Sequence, residues 1–248
     1  MKVSVLSKMY NEVLIAPFFL DHYSFADEII VNLDVDSNDG TIELLEKSPQ
    51  VKIHWSTCIG GQNERIFTEE ENKLASECKS DWLFYVDADE FLFPPNNLSI
   101  NQALELANGN VIYASMWQVY KHETDKELDY NEPALFQRRH GDPNRTDGYN
   151  AHYNKPTIIK PEINIKWHEG HQYYFENEKI KVTDNIVFDG AHWRLPDIKM
   201  TIERRILGRK NRFSEESLVN GWGGQHFDIT VEKILAEYEE HKNDPILF

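Results

Sequence analysis

Positive charge is what this chain has least of. Its 248 residues carry 26 Lys and Arg against 42 Asp and Glu, a formal net charge of −16. A surface this acidic repels phosphate backbones, whose neutralisation by Lys and Arg supplies most non-specific nucleic-acid affinity. Nucleic-acid binding is therefore disfavoured, short of a local basic cleft. Cysteine is nearly absent: Cys58 and Cys78 form neither a CxxC pair nor a disulfide framework, which suits a reducing compartment. Long apolar runs are missing too. The longest candidate, Val13 to Leu20, is short and broken by Pro17, well under the roughly 18 residues of a membrane span. The opening Met1-Lys2-Val3-Ser4-Val5-Leu6 has no extended apolar signal region and no small-residue cleavage pattern. Together these absences predict a cytoplasmic protein with at most peripheral contact at the inner face of a membrane. What is present is apolar material for a core, with 40% hydrophobic and 12% aromatic residues, so a disordered chain is not expected.

The first hundred residues alternate short apolar runs with helical patterns, which predicts strand-helix-strand units around a mainly parallel sheet, an α/β fold. Strands are expected at Val3 to Leu6, Ile29 to Leu33, Val51 to His54, Trp82 to Val86 and Val111 to Met116. Helices are expected after Pro17, over Thr41 to Lys47, over Glu64 to Lys79 with Ile66, Leu74 and Ala75 inward, and over Ile100 to Ala107. After about residue 120 the texture turns polar, aromatic and irregular. The chain therefore divides into an α/β half, residues 1–118, and an elaborated half of the same domain, residues 119–248. The latter closes with an amphipathic helix over Asp228 to Lys242.

The most informative stretch is Trp82-Leu83-Phe84-Tyr85-Val86-Asp87-Ala88-Asp89-Glu90-Phe91. A buried strand ends in three carboxylates within four residues, at the carboxyl end of a parallel strand, where open α/β sheets bind ligands. Clustered like charges cost energy unless a cation or strong donors offset them. A turn beginning at Ala88 lets Asp87 and Asp89 reach one hard cation, Mg²⁺ or Mn²⁺. Asp34 and Asp36 also follow a predicted strand, so acidic groups converge on one edge of the sheet.

At these residues the chain resembles a known family. Val3-Ser4-Val5-Leu6 with Tyr10-Asn11-Glu12, then Ala26-Asp27-Glu28-Ile29-Ile30-Val31 with Asp34 and Ser37-Asn38-Asp39-Gly40-Thr41, then Asp87-Ala88-Asp89-Glu90-Phe91, stand in the order and spacing of glycosyltransferase family 2 signatures. The resemblance covers roughly residues 1 to 95. Downstream, Trp167-His168-Glu169 and Ala191-His192-Trp193-Arg194 are similar to the His-Glu and His-aromatic signatures of the branch that includes lipopolysaccharide-core glycosyltransferases.

The resemblance implies a GT-A type nucleotide-binding sandwich and a metal-dependent glycosyltransferase, of hexosyltransferase type. Such an enzyme moves a sugar from a nucleotide-diphospho-sugar, a UDP-sugar first, to a hydroxyl on a glycan, glycolipid or other acceptor, with inversion expected. It also implies that Tyr10, Asn11 and Glu12 border the nucleotide pocket and that Asp34, with Asp36 sharing the contact, meets the base or ribose. Asp87 would lie near the ribose or metal, Ala88 between the two acidic residues, and Asp89 on the metal, Mn²⁺ or Mg²⁺. In a protein at −16 a divalent cation on carboxylates neutralises a leaving diphosphate without many lysines. Two departures stand out. The family's two consecutive acidic residues become Asp34-Val35-Asp36, and a basic residue often found ahead of the helix Asn is here Glu71, before Asn72. Arg65, upstream on the same expected helix, reads as a solvated helix residue or as a substitute for that cation's phosphate or base contact.

Inverting transfer needs a carboxylate to take the acceptor proton. Glu169 is the first choice, after the strand-like Ile163 to Trp167, with Asp189 and Glu132 in reserve. His192, as a neutral imidazole, is a further metal ligand or a phosphate partner. Arg138, Arg139, His140 and Arg145 form a basic cluster suited to an anion or to a solvated surface. Arg204, Arg205, Arg209, Lys210 and Arg212 concentrate positive charge in a helix expected over Ile198 to Arg212, for phosphates or a membrane surface. Asn220 to His226 reads as a glycine-hinged lid or a static turn. Zinc is disfavoured, since no HExxH or CxxC spacing occurs. Two other functions share these features. A non-catalytic carbohydrate-binding module would use Trp117, Trp167, Tyr173, Tyr174 and Trp193 to stack on sugars. A sugar-nucleotide nucleotidyltransferase would need a glycine-rich phosphate loop after the first strand, where Ser7-Lys8-Met9-Tyr10-Asn11-Glu12 has no glycine.

Overall fold

Strand β1, Val3–Met9, is buried along its length except at Lys8, the pattern of a strand covered on both faces. The computed structural model describes residues 1–143, 156–169, 173–175, 180–209, 212–222 and 227–248. Strands β2 (Glu28–Leu33), β3 (Val51–Trp55) and β4 (Trp82–Tyr85) run parallel to β1 in the order β3-β2-β1-β4. Their connections carry helices α1 (Ala16–His22), α2 (Thr41–Leu45) and α3 (Glu64–Glu77). Pro at its start sets the first turn of α1, and the Asn63 side chain caps α3 by accepting from the backbone N–H groups of Arg65 and Ile66. The inward stripe of α3 is Phe67, Thr68, Glu71 and Ala75. Ile66 and Leu74, expected inside, are only partly buried.

The two faces of the sheet follow the period-2 alternation of a strand. Val3, Val5, Trp82, Phe84 and Val86 enter a core with Phe18, Phe19, Phe91, Phe188 and Trp193, whereas Leu6, Leu83 and Tyr85 enter another with Ala75, Ile159 and Trp167.

The chain then adds β5 (Glu90–Phe93), α4 (Ile100–Leu106), β6 (Val111–Tyr120), α5 (Ala134–Gln137), β7 (His140–Gly141), β8 (Pro156–Ile159), β9 (Ile165–Trp167), β10 (Tyr173–Phe175) and β11 (Phe188–Leu195). The sheet continues from β4 through β8, β6 and β11 to β5, with β7 on β6. Strand β8 is antiparallel to both β4 and β6, β11 is parallel to β6, and β5 is antiparallel to β11. Strands β9 and β10 pair separately. The fold is thus α/β around a parallel nucleus, as the alternation predicts, with the second half inserted into the same sheet.

Helix α6, Ile198–Ile202, stops short of the expected long helix and passes into a π-helical segment, Glu203–Arg209. That wider turn buries Arg204 and Arg205, and such segments recur at functional sites. Helices α7 (Glu215–Asn220) and α8 (Val231–His241) complete the chain. No helix among the described residues is long and apolar enough to cross a membrane.

Candidate functional site

Strands β1, β2 and β4 end side by side, so Tyr10, Asp34 and Asp87 leave the sheet at one edge. The Asp34 N–H donates to Met9 O at 3.0 Å and the Val86 N–H to Leu6 O at 3.1 Å, carrying the ladder to its last rung. Beyond β1, Asn11 adopts a left-handed φ of 49°. Its side chain exchanges hydrogen bonds with Asn38, while Glu12 N–H donates to Thr41 Oγ1 at 2.7 Å and Val13 N–H to Asp39 Oδ2 at 3.0 Å. The Ser37 to Thr41 stretch is therefore a lock on the turn after β1. After β4, Asp87 N–H donates to the buried Glu90 carboxylate at 3.0 Å and Glu90 N–H to Asp87 O at 3.0 Å. This tight turn leaves Asp87, Ala88 and Asp89 all on the wall of one cavity of about 200 Å³.

Tyr10 and Asp34 line the same cavity. Asn11 and Glu12 do not; Glu12 lies fully buried beneath it. Its carboxylate receives Arg204 through Nε at 2.7 Å and Nη2 at 3.2 Å, together with Arg209. Arg204 Nη2 also reaches Asp89 Oδ2 at 3.0 Å. Burial alone would raise the Asp89 carboxyl, but Arg204, then His192 and Arg209, outweigh it and hold the group well below the usual carboxylate range. Arg212 bonds Asp34 Oδ2 at 2.6 Å, stands 3.6 Å from Asp36 Oδ2, and lies over the Tyr10 ring at 3.6 Å. Burial raises the Asp34 carboxyl; the Asp36 N–H and Arg212 offset this only in part. The basic segment of the C-terminal half thus faces the acidic edge of the sheet, a placement that its spacing in sequence did not reveal.

A second corner of the cavity is built on Lys8. Its ammonium meets Glu64 at 3.1 Å. Burial works against that charge, but Glu64, Glu71 and Asp87 more than compensate and raise the Lys8 pKa. Glu71 accepts a hydrogen bond from Tyr85 Oη at 2.8 Å, and burial pushes its carboxyl up to about 7. Lys8, not Arg65, is the cation near this corner. Arg65 lies on the rim, tied to Glu69 at 3.0 Å and Glu216 at 2.9 Å.

His192 reaches the site through strand pairing. It stands opposite Glu90 across β5 and β11 and opposite Gln118 across β6 and β11, and Trp193 N–H donates to Asp89 O at 2.9 Å. His192 Nδ1 bonds Gln118 Oε1 at 2.7 Å, which turns Nε2 toward Asp89 Oδ1, 3.8 Å away. The Gln118 bond thus fixes the orientation of the ring. The described residues hold no group of three or more His, Cys, Asp or Glu able to bind a metal. Asp89 supplies the carboxylate oxygen that Mg²⁺ and Mn²⁺ prefer, here shared with Arg204, and such ions fill the rest of their shells with waters and substrate phosphates.

Strand β9 brings up the next residues. Asn72 on α3 clamps Trp167, donating from Nδ2 to its carbonyl at 2.8 Å and accepting its N–H on Oδ1 at 2.8 Å, and Trp167 packs on Tyr85 at 4.2 Å. His168 consequently lines the cavity, and Glu169, half-buried, stands one residue further out.

No family model matches this chain. No curated protein matches it either. Solved structures do: S. aureus TarS 1-349 in complex with UDP-GlcNAc is 14% identical with a TM-score of 0.44, over 77% of this chain and 58% of that one. A second S. aureus TarS structure is 16% identical with a TM-score of 0.47, over 96% of this chain and 43% of that one. Glucosyl-3-phosphoglycerate synthase from Mycobacterium tuberculosis, in complex with Mn²⁺, UDP and phosphoglyceric acid, is 15% identical with a TM-score of 0.32, over 47% and 43%. At these values the likeness bears on neither the site nor its substrate.

The other sequence candidates lie apart from the cavity. Arg138 is buried, giving its guanidinium to the carbonyls of Gln137 at 2.8 Å, Lys126 at 3.0 Å and Pro196. Asp189 pairs with Phe93 within the sheet, and Glu132 is exposed. Arg145, Lys210 and residues 223–226 of the expected lid lie outside the described residues.

Proposed function

We propose that this protein is a GT-A glycosyltransferase of the family 2 type, in the branch with an Asp-Ala-Asp-Glu motif. In this reading it transfers a hexosyl group from a nucleotide-diphospho-sugar, a UDP-sugar first, to an acceptor hydroxyl. The observation that carries the reading is the convergence of Asp34, Asp87 and Asp89, from the ends of two parallel strands and one tight turn, on a cavity that Arg204, Arg205 and Arg209 also line, with Arg204 in direct contact with Asp89. Carboxylates there receive ribose hydroxyls and base N–H groups; arginines receive a diphosphate.

In this reading the nucleoside lies over Tyr10 and Asp34 with its ribose toward Asp87, and the diphosphate runs toward Asp89 and the arginines. A divalent cation, Mn²⁺ or Mg²⁺, held by Asp89 and His192, would neutralise charge developing on the leaving diphosphate. Glu169 takes the proton of the acceptor hydroxyl as its oxygen bonds to the anomeric carbon from the face opposite the leaving group. The bond from that carbon to the diphosphate oxygen breaks, and the anomeric centre inverts. Asn72 fixes the end of β9, two residues before Glu169. We place the enzyme in the cytoplasm, with residues 1–118 holding the nucleoside end of the donor, and residues 119–248 meeting the acceptor while lending His192 and the arginines to the diphosphate.

A sugar-stacking module fits less well, because Trp167 and Trp193 are 2% and 1% exposed, buried in the two cores. The experiment is a thermal-shift titration with UDP, GDP, CDP and dTDP, each with and without Mn²⁺, since ligand binding to the native state raises its apparent stability. One nucleotide should stabilise the protein, more so with metal, and Asp89→Ala should erase the metal increment. No shift with any nucleotide, in a folded sample, would overturn the donor reading. Glu169→Gln should keep nucleotide binding and lose turnover; unchanged turnover would move the base elsewhere.

A further inference from the structure

We infer that Arg212 is a built-in occupant of the base subsite, an autoinhibitory side chain that the donor nucleotide must displace. The inference rests on the donor reading above, in which the base stacks on Tyr10 and bonds to Asp34. Both of those groups are engaged. The guanidinium carbon of Arg212 stands 3.6 Å from the Tyr10 ring centroid, so that face of the ring is covered. Arg212 Nη2 takes Asp34 Oδ2 at 2.6 Å, and Asp36 N–H takes Asp34 Oδ1 at 2.9 Å. Asp34 is 1% exposed, so water is not an alternative partner of equal standing.

The choice of side chain is physically apt. A guanidinium is planar and delocalised, stacks on aromatic faces and directs N–H donors from its edge. A nucleobase with a ring N–H offers the same two features. The fit is incomplete, however: Arg212 Nε is buried with no hydrogen-bond partner among the described residues, and an unmet buried donor costs free energy. The plug is held by the Tyr10 ring, by Asp34 and by the half-exposed Asp36 carboxylate 3.6 Å away, and is penalised by one orphan donor, a balance suited to exchange.

The backbone beneath it is fixed independently. Arg212 O accepts from Gln62 N–H, and Ser214 N–H donates to Gln62 O at 2.9 Å. Glu216 binds Arg65 at 2.9 Å and Asn63 at 2.7 Å. Rotation of one side chain about its own bonds therefore suffices to release the subsite while these backbone bonds are kept. A site competent in only a fraction of molecules binds its ligand more weakly by that fraction.

The test is UDP binding, with Mn²⁺ present, to the wild type, Arg212→Ala and Arg212→Lys, by calorimetry and stopped-flow fluorescence. The inference expects Arg212→Ala to bind UDP roughly ten-fold tighter, through a faster association rate and an unchanged dissociation rate. Arg212→Lys, which keeps the charge and loses the stack, should fall between. If UDP binds the wild type and both variants bind it equally or more weakly, Arg212 is a contact for the nucleotide or a bystander, and the inference is overturned alone. If UDP binds none of the three while each melts cooperatively, the donor reading falls and the inference with it.

Discussion

Glu71 shows how a single side chain can report on its surroundings. It sits on the inward stripe of α3, hydrogen-bonded to Tyr85 and facing Lys8, with one carboxylate oxygen unpartnered among the described residues. Burial pushes its carboxyl from 4.5 up to about 7, against the pull of Lys8. Between those pH values the folded protein keeps a proton that the unfolded chain has released, so stability falls as pH rises through the window and stays low above it. The linkage is worth up to about 3 kcal/mol. Glu71→Gln keeps the acceptor for Tyr85 and removes the titration. Melting should therefore favour the variant above pH 7 and show no advantage near pH 4; a pH-independent difference would place the charge elsewhere. The sequence marked Glu71 as a departure from the family pattern. It did not show that Lys8, on the neighbouring strand, is the cation beside it.

Among the elements, the short strands of the second half decide the geometry. Strand β9 is three residues long, and two hydrogen bonds from Asn72 hold its end. Asn72→Ala leaves the Trp167 N–H and carbonyl without these partners and should cost about 1–3 kcal/mol. Amide exchange at Trp167 should accelerate more than exchange in β1; uniform exchange would refute the clamp. Gly190 has a comparable role in β11. A Cβ there would press on the Met116 sulfur and stand 2.8 Å from Leu92 Cδ2, in the pairing that sets His192 beside Asp89. Gly190→Ala should destabilise by about 1–3 kcal/mol and lower Mn²⁺-dependent UDP binding along with it; a variant of wild-type melting temperature would show that the β5–β11 contact can give way. These strands were hard to read because β5, Glu90–Phe93, follows the acidic turn directly and β8 enters between β4 and β6 from far along the chain. The strands of the first half were legible because continuous apolar runs between turn residues admit few other structures.

For the whole molecule, the net charge of −16 acts against compaction. Three of its anions, Glu12, Asp34 and Asp89, are paired internally with Arg204, Arg209 and Arg212, which leaves the whole excess of negative charge on the rest of the molecule. Those pairs are buried or nearly so and resist screening, whereas surface repulsion does not. Raising ionic strength from about 0.01 M to about 0.15 M shortens the Debye length from about 30 Å to about 8 Å, so the urea midpoint should rise. A fall would mean that exposed ion pairs such as Arg65 with Glu69 outweigh the repulsion.

The sequence by itself determined the α/β nucleus and the edge at which its carboxylates gather, because apolar periodicity and the position of Asp34 and Asp87 after strands are local properties of the chain. Only the tertiary structure decided which cations face them. Arg204 and Arg212 lie 192 residues from Glu12 and 178 from Asp34, and no local pattern encodes a pairing across that separation. It arises when β11 docks beside β6, the π-helical turn after α6 directs Arg204 and Arg209 at the carboxylates beyond β1 and β4, and the chain beyond that turn sets Arg212 on Asp34 at the end of β2.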